Sequence, residues 1–272
     1  SFVIFKLLGV KFSSNLSGKI FEKIGPFFRS KRIIQSNIKR AFPNTNLEDI
    51  EKISKSMWNN YGRIFAEYIF IKDFRSGNLS SKIEIDGEEI LEEINKSKKQ
   101  VVFISGHLSN FELMAMCIEK SGIKLSAIYQ PLNNIFLNKI MEKIRKNYIC
   151  KNQIKKGLKG LREALKYFKN GKSLAIMIDQ RVSEGIKSKL FGKSAMTTTI
   201  PAQFVKKFGC FVQPVYIQRI DGIYFKVIFD EYIEFDKDQN IEIITTKLNH
   251  WLEEKIIKNP DQWIWSHNRW KI

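Results

Sequence analysis

The sequence predicts an α/β protein: a mixed central sheet flanked by helices, preceded by an N-terminal helical region that associates with a membrane. Three observations carry that prediction. Short apolar runs at residues 100–104, 125–129 and 174–178 alternate with stretches of helical period, the order of strand–helix–strand units. Two later runs, 211–218 and 224–229, are joined at Asp221-Gly222, a hairpin signal that adds an antiparallel pair. The N-terminal stretch, residues 1–76, reads as helical, apolar and basic throughout.

Residues 1–12 are apolar but carry Lys6 and Lys11, and fall short of the roughly 18–20 apolar residues that span a bilayer. Because the chain begins at Ser1 rather than Met, they fit either the tail of a longer spanning helix or an interfacial anchor. Ile20, Phe21, Ile24, Phe27 and Phe28 recur at helical spacing with Lys19, Lys23 and Arg29 beside them. Such a basic amphipathic helix packs on the core or lies on a membrane. A second helical stretch from Arg29 to Arg40 breaks at Ala41-Phe42-Pro43-Asn44, where proline forbids continuation. Asn46 or Asn44 then caps a helix over 47–71, with Glu48 and Asp49 in its first turn.

From residue 77 the elements shorten. The expected order is a strand at 82–85, a turn at Asp86-Gly87, a helix at 88–95 and the strand at 100–104. A helix at 113–120, the strand at 125–129, and helices at 136–148 and 158–168 follow, the last closed by Asn170-Gly171. Then come the strand at 174–178, a turn at Phe191-Gly192-Lys193-Ser194, and a helix at 201–208 with Pro201 in its first turn and Gly209 at its end. The hairpin and a final helix at 241–257 complete the chain. Residues 1–76 are read as the membrane-associating region and 77–272 as the α/β core, in one continuous domain.

Composition narrows the function. With 272 residues, 43% hydrophobic, and only 15 glycines and 6 prolines, the chain can build a sizeable core and is not a disordered one. Lys+Arg 46 against Asp+Glu 28 gives +18, which calls for an anionic partner. The basic residues are scattered, with no nucleic-acid-binding motif, so a nucleic-acid partner is disfavoured. Cys117, Cys150 and Cys210 lie far apart with no CxxC, the usage of a reducing compartment. Three histidines give no basis for a His-rich metal site.

The chemistry centres on Ile104-Ser105-Gly106-His107-Leu108-Ser109-Asn110-Phe111-Glu112. An apolar strand ends in small residues and delivers a histidine to its own carboxyl end, where α/β sheets bind ligands. Glu112 is the expected orienter of His107, provided that His107 precedes the helix and Glu112 lies in its first turn. Ser109-x-x-Glu112 equally fits a capping box, which would use the same carboxylate. With no GxSxG, P-loop, GxGxxG or HExxH in the chain, the natural nucleophile is a substrate hydroxyl deprotonated by His107.

Gly106-His107-Leu108-Ser109-Asn110-Phe111-Glu112 resembles the HxxxxD/E block of the glycerolipid and lysophospholipid acyltransferases. More closely it resembles the GHxGNWE form of the bacterial lipid A biosynthesis (lauroyl/myristoyl) acyltransferases, with Ser109 in place of glycine and Phe111 in place of tryptophan. Further blocks match that family in order: Asn37 to Pro43, Asn60-Tyr61-Gly62-Arg63 with Glu67, Asp179-Gln180, Phe191-Gly192-Lys193-Ser194-Ala195 with Thr197-Thr198-Thr199, and Pro260 to Trp270. The resemblance implies a glycerolipid-acyltransferase-like fold and catalysis by His107 and Glu112. It implies substrate-binding roles for Asn110, Lys159, Asp179, Gln180, Gly192, Thr199 and Arg269, with Lys159 standing where the family has arginine. It also implies an acyl-acyl carrier protein or acyl-CoA donor, a phosphorylated glycolipid acceptor in an anionic membrane, the cytoplasmic face of a bacterial inner membrane, and no cofactor or metal. A lysophospholipid, an aminolipid or another glycolipid is the alternative acceptor.

Overall fold

The structure is a computed structural model that describes residues 2–271. Ser1, at the head of the apolar opening segment, lies outside the described residues. Helices α1 (Phe2–Leu8) and α2 (Val10–Ile24) lead to α3 (Lys31–Ala41), α4 (Leu47–Glu67) and α5 (Ile71–Ser76). The side chain of Asn46 caps α4 by accepting from the Asp49 N–H at 2.8 Å. The single helix expected over 47–71 is interrupted by a 3₁₀ turn at Tyr68–Phe70 before α5. Small residues let α2 lie close to α4: Ser13, Ser14, Ser17 and Gly18 form its buried face. A Cβ on Gly62 would fall 2.3 Å from the Ser17 carbonyl oxygen, so only glycine fits that crossing.

The sheet is assembled from β1 (Ile83–Asp86), β2 (Val102–Ser105), β3 (Leu125–Tyr129), β4 (Asn152–Lys155), β5 (Ser173–Met177), β8 (Val212–Asp221) and β9 (Tyr224–Phe229). Their spatial order is β1-β9-β8-β2-β5-β3-β4. Strands β8, β2, β5, β3 and β4 run parallel, while β9 and β1 run against them. Helices α6 (Glu88–Ser97), α7 (Glu112–Lys120), α8 (Ile135–Tyr148), α9 (Leu158–Lys169), α10 (Ile200–Phe208) and α11 (Ile241–Lys258) cover its faces. A separate hairpin pairs β6 (Ile186–Leu190) with β7 (Lys193–Thr197). The mixed α/β architecture read from the sequence is the one observed. Polar β4 and the strands of the second hairpin are additions.

Alternation along the strands splits the core into two layers. Val102 and Ile104 of β2 face one, with Phe204, Leu252, Trp263 and Trp265; Phe103 faces the other, with Leu113, Ile118 and Phe225. Both helix stops expected from glycine are present: Gly209 ends α10 with φ 61°, and Gly171 follows α9 with φ 79°. The consequence for function is positional. Five strands point their carboxyl ends at one edge, and the loops leaving β2, β3, β4 and β5 gather there.

Candidate active site

Register builds the site. Strands β2 and β5 are parallel neighbours with Ser105 opposite Met177. Two residues beyond each lie His107 and Asp179. His107 Nδ1 is 2.7 Å from Asp179 Oδ1, and the His107 backbone N–H donates to Asp179 Oδ2 at 2.7 Å. The Trp263 indole N–H donates to Oδ2 as well, at 2.8 Å. The carboxylate is 2% exposed and the imidazole 16% exposed, so the aspartate is sealed while the histidine is within reach of a substrate. Burial alone would raise the Asp179 carboxyl; the charge of His107 and the hydrogen bonds from His107 and Trp263 overcome it and hold the group at about 2. Asp179 is therefore ionised, accepts from Nδ1–H, and leaves Nε2 of His107 as the basic atom facing outward. Gln180 Nε2 stands 3.5 Å from it.

This corrects the expected pairing of His107 with Glu112. The carboxylate of Glu112 is engaged instead by Arg145 of α8, whose Nε lies 3.1 and 3.3 Å from the two oxygens and whose Nη2 also binds Oε1. The capping box is not formed either. Helix α7 begins at Glu112, and Ser109 sits three residues earlier with φ 46° and a buried hydroxyl that has no partner among the described residues. The physical reason is common to both. His107 closes its strand end onto Asp179, and the loop then rises into α7 with Glu112 turned toward α8.

The loop is braced from two sides. The Ser109 N–H donates to the Gln262 carbonyl at 3.0 Å, and Leu108 bridges to Trp263. Asn110 is buried and donates to Glu67 Oε2 at 2.9 Å. Glu67 is itself fully buried, held by Arg219 at 2.6 and 3.0 Å and by the Ser14 hydroxyl at 2.6 Å. Asn110 thus positions the loop through a carboxylate that also meets α2 and β8.

The other expected site residues lie apart from the dyad. Lys159 is exposed on the first turn of α9. Gly192 and Phe191 form the two-residue loop of the β6–β7 hairpin, both at positive φ (67° and 52°), the conformation of a type I′ turn. Thr199 is buried at the start of α10, where its hydroxyl accepts from Gln203 at 2.8 Å. Arg269 is fully buried and donates to the Met196 carbonyl and the Thr197 hydroxyl, both at 2.7 Å, tying the C-terminal tail to β7. Burial lowers its guanidinium to about 10, while the Asp179 charge opposes that fall.

Arg145 is the residue that sequence reasoning missed. A signal existed: it shares the buried stripe of α8 with Met141, Ile144 and Tyr148, and a charge on an apolar stripe needs a buried partner. Its guanidinium also lies 5.4 Å above the Tyr129 ring at the carboxyl end of β3, which places it at the same edge as His107. Burial would lower its pKa, but the Glu112 charge raises it, so it stays a cation. The three thiols are excluded as nucleophiles, because burial pushes Cys117, Cys150 and Cys210 up to about 12.

Comparison with known proteins gives this geometry a family. Residues 2–272 match the family model described as bacterial lipid A biosynthesis acyltransferase. The chain belongs to that family. Two curated lipid A biosynthesis enzymes resemble it, each 20% identical over 256 residues, covering 90% of this chain and 80% of the relative. One is the lipid A biosynthesis palmitoleoyltransferase of Escherichia coli (strain K12), the other the lipid A biosynthesis acyltransferase of Shigella flexneri. Among solved structures, the 1-acyl-sn-glycerophosphate acyltransferase PlsC of Thermotoga maritima aligns with a TM-score of 0.44 at 15% identity, over 94% of this chain and 100% of that one. As a lipid A biosynthesis acyltransferase, the chain has a site whose chemistry must move an acyl group onto a lipid.

Proposed function

We propose that the protein transfers a fatty acyl chain of the lauroyl/myristoyl class from an acyl-carrier thioester to the hydroxyl of a hydroxyacyl chain on a lipid A precursor. The observation that carries the reading is the dyad of His107 and buried, ionised Asp179 at the carboxyl edge of the sheet. His107 Nε2 takes the proton of the acceptor hydroxyl as its oxygen attacks the thioester carbonyl. Asp179 fixes the imidazole tautomer and stabilises the imidazolium. The tetrahedral intermediate then expels the thiolate as the C–S bond breaks, and the imidazolium proton goes to that sulfur. An ester and a free thiol result. The expected role of Glu112 becomes indirect: it holds Arg145, whose buried Nη1 has no partner among the described residues and can face developing negative charge.

The N-terminal helices support a membrane setting. Val3, Ile4 and Leu7 of α1 and Phe12, Leu16, Ile20 and Ile24 of α2 are exposed, interleaved with Lys6, Lys11, Lys19 and Lys23. Among the described residues no helix is long and apolar enough to cross a membrane. The exposed apolar side chains interleaved with lysines support interfacial binding of α1 and α2 on the cytoplasmic face of a bacterial inner membrane. The +18 charge suits both an anionic leaflet and an acidic acyl carrier protein as donor.

The test is mass spectrometry of lipid A from a host lacking its own late acyltransferase, expressing the wild-type chain or His107→Ala. Wild type should add one acyl chain, whose mass reads the chain length, and the variant should add none. An unchanged lipid A profile with wild type, or full acylation by folded His107→Ala, overturns the reading.

A further inference from the structure

We propose that a recess between α3 and the β6–β7 hairpin binds the phosphomonoester of a membrane lipid headgroup. This rests on the reading above of an enzyme whose acceptor is a phosphorylated lipid, and places one of that lipid's charged groups. The recess has a volume of about 470 Å³ and is lined by Arg32, Lys39, Arg40 and Lys193, with Pro43 and Leu47 at its wall. No carboxylate lines it, and among the described residues none of the four cations is in an ion pair.

Helix electrostatics explains only half of that charge. Lys39 and Arg40 lie in the last turn of α3, where the helix dipole favours cations. Arg32 lies in the first turn, which holds no acidic residue and where the dipole disfavours a cation. Lys193 comes from a different element and directly follows the tight Phe191-Gly192 loop. Phe191 packs on Phe42 and Trp270, so the hairpin tip is fixed against α3's end rather than free. Four like charges held together repel one another, and a bound dianion offsets that repulsion. A concave cluster suits a phosphomonoester, with its concentrated charge and three acceptor oxygens, better than the dispersed carboxylates of an acidic protein surface.

The surroundings supply the lipid. Phe27 and Phe28, 88% and 66% exposed, lie ahead of α3, separated from it by Arg29 and Ser30, and Leu47 at the recess is 67% exposed. Apolar side chains beside unpaired cations match the boundary between acyl chains and headgroup phosphates. On the inner side a chain of packed aromatic rings links the recess to the dyad. Arg40 lies 6.0 Å from the Trp270 ring, Trp270 packs on Trp263, and Trp263 donates to Asp179.

Vesicle co-sedimentation of the chain tests this. The probes are phosphatidylcholine vesicles carrying phosphatidic acid, a phosphomonoester, or phosphatidylglycerol, a phosphodiester, at matched surface charge. Wild type should favour phosphatidic acid. A triple variant, Arg32→Ala with Lys39→Ala and Lys193→Ala, should lose that preference and bind phosphatidic acid vesicles more weakly, by about five-fold per cation removed. A control triple at exposed lysines elsewhere, Lys207→Ala with Lys237→Ala and Lys258→Ala, should keep the preference. Equal binding of both vesicles by wild type, or equal losses in both triples, overturns the site. So does inorganic phosphate bound as tightly as the vesicles, which would make it a free-phosphate site. Loss of binding to an acidic acyl carrier protein with vesicle preference intact would reassign the recess to protein docking. The readout needs no turnover and should be unchanged by His107→Ala. Failed acylation with intact phosphomonoester preference would sink the enzymatic reading and leave the site standing.

Discussion

Asp179 does at the residue scale what a surface carboxylate cannot. It is buried, charged, and saturated by hydrogen bonds from His107 and Trp263, so its charge is spent on one imidazole nitrogen. Asp179→Asn keeps the volume but offers an amide that can stabilise the wrong tautomer. Turnover should fall by about 10³–10⁴-fold with the fold retained, as measured by acyl transfer and circular dichroism. Unchanged turnover would mean that His107 needs no orienter. Glu112→Gln should act differently: it leaves the dyad intact but weakens the hold on Arg145. We expect a smaller loss, about 10²-fold, which Glu112→Asp partly restores and which leaves the pH profile of the dyad unmoved. A shift in that profile would show that Glu112 touches the histidine after all. Both His107 and Asp179 were legible in the sequence as strand-end residues. Their partnership was not, because 72 residues separate them and nothing local states which strands become neighbours.

At the element scale, the N-terminal helices are fastened to the site through one buried carboxylate. Glu67 ends α4 and receives bonds from Ser14 of α2, Asn110 of the His107 loop and Arg219 of β8. Glu67→Ala would strand the 9%-exposed Arg219 side chain without its counter-charge, at a cost of about 3–5 kcal/mol in unfolding free energy. Denaturant titration checks this, and a stability equal to wild type would remove Glu67 from that role. Strong local signals fixed most elements: the Asn46 cap, the proline before α4, Gly209 and the Asp221-Gly222 hairpin all appear where expected. Polar β4 (Asn-Gln-Ile-Lys) carried no strand periodicity, and β6 and β7 read only as a turn, because their stability comes from pairing and from packing on α11 and the tail.

For the whole molecule, the C-terminal tail is both a wall of the site and a pH-sensitive part of the fold. His267 accepts a hydrogen bond from the Arg181 N–H at 2.9 Å, and burial first, with nearby His107, Arg269 and Lys156, lowers its pKa from 6.5 to about 4 against the pull of Asp179. A depressed folded-state pKa means that the unfolded chain binds the extra proton first. The stability it contributes is therefore present above about 6.5 and is lost as pH falls toward about 4. Allowing for its partial exposure, unfolding free energy should drop by about 1–2 kcal/mol between about pH 7 and about pH 5, and His267→Gln should flatten that slope. Parallel slopes in both proteins would exclude His267 as its source.

Strand order has one more outcome, in the time domain. Strand β5 is synthesised after β2, β3 and β4, yet it lies between β2 and β3. Until it emerges, the facing edges of β2 and β3 that it will fill stand unpaired in the nascent chain, a state open to aggregation. The same insertion brings Asp179 to His107. Recovery of activity on refolding should thus coincide with closure of this central gap, and a chain cut short of residue 173 would be at once catalytically empty and prone to self-association.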